Sequence, residues 1–282
     1  MNEIMNFPFR VSHTEGEGCL VNSTIYEHAM EVVEIMEGKI TVEIGSDRFL
    51  SERGDIFYIP SGLVRRIYVP EGRGAIRMLA FDSSIVEQNM DTIDTEILYM
   101  FEVQSRNRLS SFRKEHPVYE ELSRYIREAV DESAAKDVCY KLPIRANIYL
   151  IMTSLLRYYC PMRTESDRMV YHNVLRLRPV LDYIDAHSHE RIYVEKLAAM
   201  IMVSPDYFTK MFRESIGKTP VDYINDLRVN RALVLLCQGE LNMTQIAQLV
   251  GFSNVNYFHK MFKQYMGVSP MAYRKNAENT EK

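Results

Sequence analysis

The chain has 282 residues, of which 46% are hydrophobic and 26% charged, with a formal net charge of −4. From Arg176 onward 14 Lys and Arg stand against 11 Asp and Glu, a net charge of +3, while the preceding residues carry 20 against 27, a net charge of −7. This length suits two domains with separate cores. The net negative charge of the first part is unfavourable for binding DNA, whereas the mildly basic second part is compatible with a DNA-binding surface.

Cysteine usage and the first residues bear on the cellular compartment. The four cysteines have neither paired nor metal-ligand spacing, which favours a reducing cytoplasm. The opening MNEIMNFPFR lacks an apolar signal core, and no apolar run approaches membrane-spanning length. We therefore expect a soluble, cytoplasmic protein with no membrane partner.

Residues 1–85 are predicted to form a small β-structure. Short apolar and β-branched runs alternate with Gly and Pro at near-even spacing, which is typical of a sandwich or barrel. The first 17 residues carry few regular signals, and we expect them to be a moving segment anchored by Phe7, Pro8 and Phe9. The predicted strands cover residues 32–36, 39–44, 49–50, 56–59, 67–69 and 76–81.

A recognisable sequence motif surrounds the fourth predicted strand, residues 56–59. From Gly54 the chain has five residues and then Pro-x-Gly-x-x-Arg, ending at Arg65. This resembles the second cupin motif, in which a histidine stands at the position of Arg65. His28 and Glu34 fit the frame of the first cupin motif, but Met30 occupies its second histidine position. Since a metal site needs three or four converging ligands, we expect a cupin-like barrel without metal, cofactor or enzymatic activity.

The arginine at the lost histidine position suggests a different ligand. A guanidinium group binds carboxylate or phosphate bidentately, so Arg65 is the main candidate for holding a small effector. In an alternating strand only one of Arg65 and Arg66 can face inward, and the alternative is that Arg65 points to solvent at a turn. The candidate effector-binding residues are Arg65, His28, Tyr58 and Tyr68, and Tyr26, Glu34 and Arg77 could complete a polar pocket.

Residues 86–160 are predicted to be helical. Apolar residues recur there at helical spacing in two stripes, which pack within their own domain or against a second copy. The polar residues 161–174 are predicted to be an interdomain linker. The stripes are Val118, Leu122, Ile126 and Val130, followed by Ile144, Ile148, Ile151, Leu155 and Tyr159.

Residues 175–276 contain one helical pattern twice, offset by 50 residues. In the first copy Ser204-Pro205 supplies a capping hydroxyl and a proline at the first helical position, and Gly217 can end that helix in the left-handed conformation. In the second copy Asn254 caps, Gly267 ends the helix, and Gly251 permits a tight preceding turn. Each copy predicts a helix-turn-helix, whose second helix enters the major groove of DNA.

The repeated residues carry a family resemblance. Tyr207-Phe208, Lys210-Met211-Phe212, Gly217, Pro220 and Tyr223 recur 50 residues later, and Ala247, Gly251 and Phe252 stand before the second set. This signature resembles that of the AraC/XylS transcriptional regulators. The resemblance implies double-stranded promoter DNA, RNA polymerase, a small effector, often a sugar, and a second copy of the chain as partners, with the helices after the barrel forming the dimer interface.

Exposed positions beside the repeated aromatic pairs are the candidate DNA contacts. Asn256 suits adenine, Lys210 and Lys260 suit guanine or phosphate, and Val255 suits a thymine methyl group. Asp206 suits cytosine or merely favours the helix N-terminus. The helix through residues 221–237 would hold the two units ~34 Å apart, about one DNA turn. The candidate DNA-binding residues are Asp206, Thr209, Lys210, Val255, Asn256, His259 and Lys260.

The sequence therefore predicts an α+β multidomain regulator. Its parts are a cupin-like effector-binding barrel (1–85), a helical dimerisation region (86–160), a linker (161–174), a tandem helix-turn-helix domain (175–276) and a disordered tail (277–282). The alternatives are an enzyme joined to this DNA-binding module and a regulator whose barrel only dimerises. The regulated genes would serve sugar or small-metabolite utilisation, and activation and repression both remain open.

Overall fold

The structure is a computed structural model that describes residues 9–24, 29–45, 47–82, 85, 92–107 and 111–280. It divides into two compact units, one formed mainly by residues up to 161 and one mainly by residues from 162 onward. Within the described ranges, no helix has the length and apolar character needed to cross a membrane.

The first unit is built on one antiparallel sheet of seven strands. The hydrogen-bonded order is β4-β3-β6-β2-β5-β7, and β1 also pairs with β6. The sheet curls around an apolar core, and its strands match the predicted ones only in part. Its strands are β1 (Phe9–Thr24), β2 (Ala29–Glu37), β3 (Ile40–Ile44), β4 (Asp47–Ser51), β5 (Ile56–Ile59), β6 (Arg65–Asp82) and β7 (Ser111–Phe112).

Two strands differ from the prediction. Pro70 and Gly72, expected to separate two strands, lie within the single strand β6, because β1 pairs with both halves of it and lets the chain continue. The segment from Phe9 onward, expected to be irregular, is β1, which pairs along its length with β6. Residues 1–8, which include Phe7 and Pro8, lie outside the described residues, and the movement of the segment stays a prediction.

Strand alternation explains how this core forms. Odd-numbered residues of β2 and of the first half of β6 point to the inner face, where Val33, Ile35 and Ile67 are fully or almost fully buried. Phe57 and Ile59 of β5 join them. Burying one face of each strand fixes the register, because a one-residue slip would reverse inside and outside.

Helices cover the other face of this sheet. They are α1 (Thr92–Asn107), α2 (Tyr119–Ala135) and α3 (Lys141–Tyr159). Leu122 and Ile126 of the first apolar stripe are completely buried, as are Ile148 and Leu155 of the second. The stripes therefore form the core of their own unit, as one of the two alternatives predicted, and these four side chains are not available to a second copy of the chain.

The second unit is entirely helical apart from its short loops. Its first helix begins inside the segment predicted to be a linker, because Thr164 and Asp167 form a reciprocal capping box. Its last helix continues to Thr280, past the start of the predicted disordered tail. The helices are α4 (Glu165–His187), α5 (Val194–Met200), α6 (Pro205–Ile216), α7 (Pro220–Gln238), α8 (Met243–Leu249), α9 (Val255–Met266) and α10 (Pro270–Thr280).

Candidate nucleic-acid interface

The predicted caps form at both copies of the repeated pattern. The Ser204 hydroxyl accepts a hydrogen bond from the Tyr207 N–H (3.3 Å), and the Asn254 side-chain oxygen accepts one from the Tyr257 N–H (2.8 Å). Gly217 and Gly267 end the two helices with φ values of 84° and 71°. The two predicted recognition helices, α6 and α9, therefore begin and end through the same local interactions.

The same aromatic packing supports each helix from behind. Phe212 packs edge-on against Tyr223 with ring centroids 5.6 Å apart, and the corresponding pair, Phe262 and Tyr273, is separated by 5.8 Å. Phe208 and Phe258, one turn earlier, are completely buried. Because these rings fix which face of α6 and α9 is inward, they also fix which side chains point outward.

The candidate DNA-contact residues of the first copy lie on the outer face of α6. Asp206 and Lys210 are exposed and Thr209 is half-buried. The Thr209 hydroxyl donates to the Pro205 carbonyl (2.9 Å), and the Lys210 ammonium lies 3.9 Å from the Glu214 carboxylate. The lysine pair is solvent-exposed and therefore weak, so it leaves Lys210 available to a phosphate or base.

The candidate residues of the second copy lie on the matching face of α9. Asn256 and Lys260 are exposed, and Val255 and His259 are half-buried. The His259 ring packs against Phe258 with centroids 5.8 Å apart. Asn256 therefore presents a complete amide to solvent at the N-terminal end of the helix, which is the end that contacts base edges in this type of motif.

Sequence reasoning missed one basic position on each of these helices. Arg213 and Lys263 are exposed, lie in the last turns of α6 and α9, and occur three residues after Lys210 and Lys260. Residues three apart share a helix face, so this spacing could have identified both. Each outer face thus carries two cations in succession.

The two copies differ in the turn before each recognition helix. The first turn contains Met202, which is 91% exposed and has a φ of 56°, while the second contains Gly251 with a φ of 94°. A methyl group on Gly251 would lie 2.4 Å from the Ser188 carbonyl oxygen. Gly251 is therefore required both for its backbone conformation and for this close approach.

In the first unit, Arg65 points inward as one alternative predicted, but it has a protein partner. Its guanidinium donates through Nη2 to Glu31 Oε1 (2.7 Å), and both side chains are 2% exposed. Burial raises the pKa of Glu31, and the nearby Arg65 opposes that shift. The space beside the pair, lined partly by Ile59 and Leu63, is too small for a water molecule.

The other candidate effector residues do not gather around Arg65. Tyr58 lies on the opposite face of β5, where its ring packs 5.3 Å from Phe101 and 6.0 Å from Tyr159, and burial raises its pKa. The Tyr68 hydroxyl accepts a hydrogen bond from Arg48 (2.9 Å) and donates one to the Glu43 carboxylate on β3 (3.3 Å). His28 and Tyr26 lie outside the described residues. The predicted four-residue pocket is thus corrected, because strand alternation separates three of its members.

A second polar cluster involves Glu34 and Arg77, two of the residues predicted to complete that pocket. Glu34 accepts from the Ser123 hydroxyl of α2 (2.8 Å) and lies 3.5 Å from Arg77. These contacts tie the sheet to α2 and occupy the Glu34 carboxylate. In the part of the chain that the structure describes, no group of three or more His, Cys, Asp or Glu side chains could hold a metal ion.

The comparisons with known proteins agree with this arrangement. The profile of a helix-turn-helix domain family matches residues 197–276. The HTH-type transcriptional regulator YdeC of Bacillus subtilis is 23% identical over 87% of this chain and 84% of its own length. The regulatory protein PocR of Salmonella typhimurium is 36% identical over 35% of this chain, which spans about a third of PocR (33%).

A solved structure resembles the chain over nearly its whole length. Fatty-acid-bound ToxT from Vibrio cholerae is 14% identical, with a TM-score of 0.50 over 95% of each chain. This likeness concerns the fold: a cupin-like sheet followed by helices. Fold and matched profile together define a protein with a helix-turn-helix domain C-terminal to a cupin-like sheet. Residues 197–276 therefore form a helix-turn-helix domain, and relatives over most of the chain are HTH-type transcriptional regulators.

Proposed function

We propose that the chain is a sequence-specific regulator of transcription in which α6 and α9 each read one major-groove segment of promoter DNA. The observation that carries this proposal is the duplicated scaffold: equal caps and equal aromatic packing turn Lys210 and Lys260 to equivalent outer faces. Asn256 supplies direct readout of a base, and Arg213 and Lys263 supply phosphate contacts.

Selection of bound sequences from a random duplex library by the full chain tests this proposal. The selected DNA should contain two short conserved segments about one helical turn apart, because recognition helices in one face of a duplex reach successive major grooves. A single conserved segment would show that only one helix pair reads DNA. No enrichment at all would overturn the proposal.

Dimerisation is a separate proposal, and it now rests on a different face of α3. Outside its buried stripe, this helix exposes Leu142, Tyr149 and Leu150, with 64%, 38% and 43% of their surfaces accessible. Such an apolar outer row fits a second copy of the chain. Leu150→Glu should convert a dimer to a folded monomer in light scattering, whereas the matched Leu155→Glu should unfold the first unit. A full chain that is monomeric at micromolar concentration would overturn the proposal.

The effector proposal must account for the Glu31–Arg65 pair. We propose that an anionic effector binds by displacing Glu31 from Arg65, since a guanidinium group pairs equally well with either carboxylate. Because the space beside the pair is too small for a water molecule, binding must also move the side chains that enclose it. ToxT has been solved with an unsaturated fatty acid bound, so fatty acids join sugar acids and neutral sugars in the ligand panel. His28 would complete the site, while Tyr58 and Tyr68 remain candidate partners only if the strands rearrange.

Competition between carboxylates gives this idea a distinctive test. Glu31→Gln should strengthen binding of an anionic ligand in calorimetric titration, because it removes the competitor. Arg65→Lys should weaken it by about 1.5–3 kcal/mol, the usual value of a hydrogen bond to a charged group. If both variants bind the ligand with the affinity of the wild type, Arg65 does not contact the effector. A neutral sugar that binds instead would show that the effector is recognised elsewhere.

The regulated genes and the direction of regulation need a functional readout. By family resemblance we propose genes of sugar or small-metabolite utilisation, a non-enzymatic role and RNA polymerase as a further partner. In vitro transcription from a selected promoter, with and without the chain, measures the direction. An unchanged transcript level would argue against regulation at that promoter.

A further inference from the structure

The two helix pairs of the second unit, α5–α6 and α8–α9, pack mainly on the helices beside them rather than on each other. A cleft of about 620 Å³ lies between the loop that precedes α5, the helix α7 and the second helix pair. One face of α7 forms part of its wall through Val221, Asn225 and Arg228, and the opposite walls come from loop 189–192 and turn 251–253. Contacts across this cleft join the loop before the first helix pair to the turn of the second pair, so they bear on the relative placement of α6 and α9.

Arg228 is one such bridge. From α7 its Nε donates to the Ser188 carbonyl and its Nη2 to the Glu190 carbonyl, both at 2.7 Å. Its guanidinium carbon also lies 5.7 Å from the centre of the Phe252 ring, which belongs to the turn before α9. One side chain thus contacts the loop before α5, the connecting helix and the second helix pair.

Gly251 is the second bridge. Its backbone approaches the same loop so closely that an added methyl group would lie 2.4 Å from the Ser188 carbonyl oxygen and 2.7 Å from the His189 backbone. Ser188 is completely buried and its side chain accepts from Arg231 of α7. Loop 188–190 is therefore held by α7 on one side and touched by the turn of the second helix pair on the other.

We propose that Arg228, Gly251 and loop 188–190 form a joint that sets the distance and angle between α6 and α9, and so determines the spacing of the two DNA segments that the chain accepts. This inference rests on the proposed function, because it assumes that both helices read DNA. Arg228 and Gly251 are positioning residues, since their contacts are with the protein and not with bases.

Spacing is a property that DNA itself can probe. One added base pair moves the second segment by about 3.4 Å and rotates it by about one tenth of a turn. A rigid joint cannot follow that movement without losing contacts. A loosened joint can, so it should tolerate the added base pair better while each recognition helix keeps its own base preference.

The experiment uses the full chain and an operator selected with it from random duplexes. Affinities are measured for that operator, for a version with one extra base pair between the segments, and for a single segment. For the wild type, the insertion should weaken binding about tenfold, comparable to one mismatched base pair. In Arg228→Met and in Gly251→Ala the penalty should fall to about threefold or less, with unchanged single-segment affinity.

Matched variants separate positioning from general damage. Gly239→Ala imposes the same left-handed strain (φ 76°) but meets no neighbouring atom, so it should keep the wild-type penalty. Arg228→Lys retains one donor and should give an intermediate penalty. A full tenfold penalty in both Arg228→Met and Gly251→Ala would overturn this inference but leave the proposed function intact. The same conclusion would follow if both variants lost single-segment binding in proportion to a lowered thermal stability. Failure of the wild type to enrich any operator would overturn the proposed function as well.

Discussion

The two units place their polar side chains in opposite ways. On α6 and α9, the candidate DNA contacts point outward from two copies of one scaffold, and Asp206, Lys210, Asn256 and Lys260 are exposed. On the curled sheet, the polar residues that would line a pocket are engaged by other side chains, as in the buried Glu31–Arg65 pair. A repeated helix with a defined start and end reveals its functional face in sequence, whereas an inward polar residue on a strand does not reveal its partner.

Removing the cation of the buried pair should have the largest effect. Arg65→Met leaves the Glu31 carboxylate buried without its partner, and the free energy of unfolding should fall by about 3–5 kcal/mol. Urea unfolding of the full chain, followed by circular dichroism, measures this change. The double variant Arg65→Met/Glu31→Leu should recover most of the loss, because a well-packed apolar pair can replace a buried ion pair.

Arg66 provides the matched control in the same strand. It is paired with Glu43 (3.3 Å), lies over the Tyr68 ring and is more exposed than Arg65 (13% against 2%), so Arg66→Met should cost less than Arg65→Met. A similar loss in the free energy of unfolding for both variants would show that the buried Glu31–Arg65 pair matters no more for stability than the Arg66–Glu43 pair on the other face of the sheet.

The second prediction concerns the outward face of α9. Asn256→Ala should weaken DNA binding by about 1–3 kcal/mol and relax the preference at one base step, because a bidentate amide contact to adenine is lost. Gln264→Ala is the control, since it removes an exposed amide from the C-terminal half of the same helix. Binding titrations on the selected operator and on its single-base variants decide it, and unchanged affinity and preference would remove Asn256 from the interface.

The two recognition helices of the second unit could be predicted from sequence because their signals are local. Ser204, Asn254, Gly217 and Gly267 act within a few residues of their own helices, so their roles could be predicted without knowing the tertiary fold. The strand at Ile56–Ile59 was predicted for the same reason.

The parts that could not be predicted depend on long-range partners. β1 was missed because its residues gain regular structure only by pairing with β6, and Pro70 was misread because that pairing carries the strand past it. Glu31 as the partner of Arg65 lies 34 residues away in sequence, and nothing local announces it. The apolar stripes of α2 and α3 predicted buried faces correctly but not what would bury them.

A third prediction tests whether the two copies are equivalent in energy as well as in geometry. Ser204→Ala and Asn254→Ala each remove one capping acceptor from a backbone N–H, so each should lower the free energy of unfolding by about 0.5–2 kcal/mol. Urea unfolding monitored by circular dichroism compares them directly. A large loss at one cap and none at the other would mean that one copy is held mainly by its tertiary contacts.

The smallest predicted effect concerns the cations in the last turns of α6 and α9. If Lys263 and Arg213 neutralise phosphates, Lys263→Ala or Arg213→Ala should weaken binding to all sequences alike. Each should also reduce the slope of log affinity against log salt by about one, because one fewer counterion is released. Arg178→Ala removes the same charge from an exposed position on α4, paired with Asp182, and should leave the slope unchanged. A slope that falls equally for all three variants would reveal a general effect of net charge. An unchanged slope in all three would show that Arg213 and Lys263 do not contact phosphates, and that the cations of α6 and α9 that face the DNA are Lys210 and Lys260.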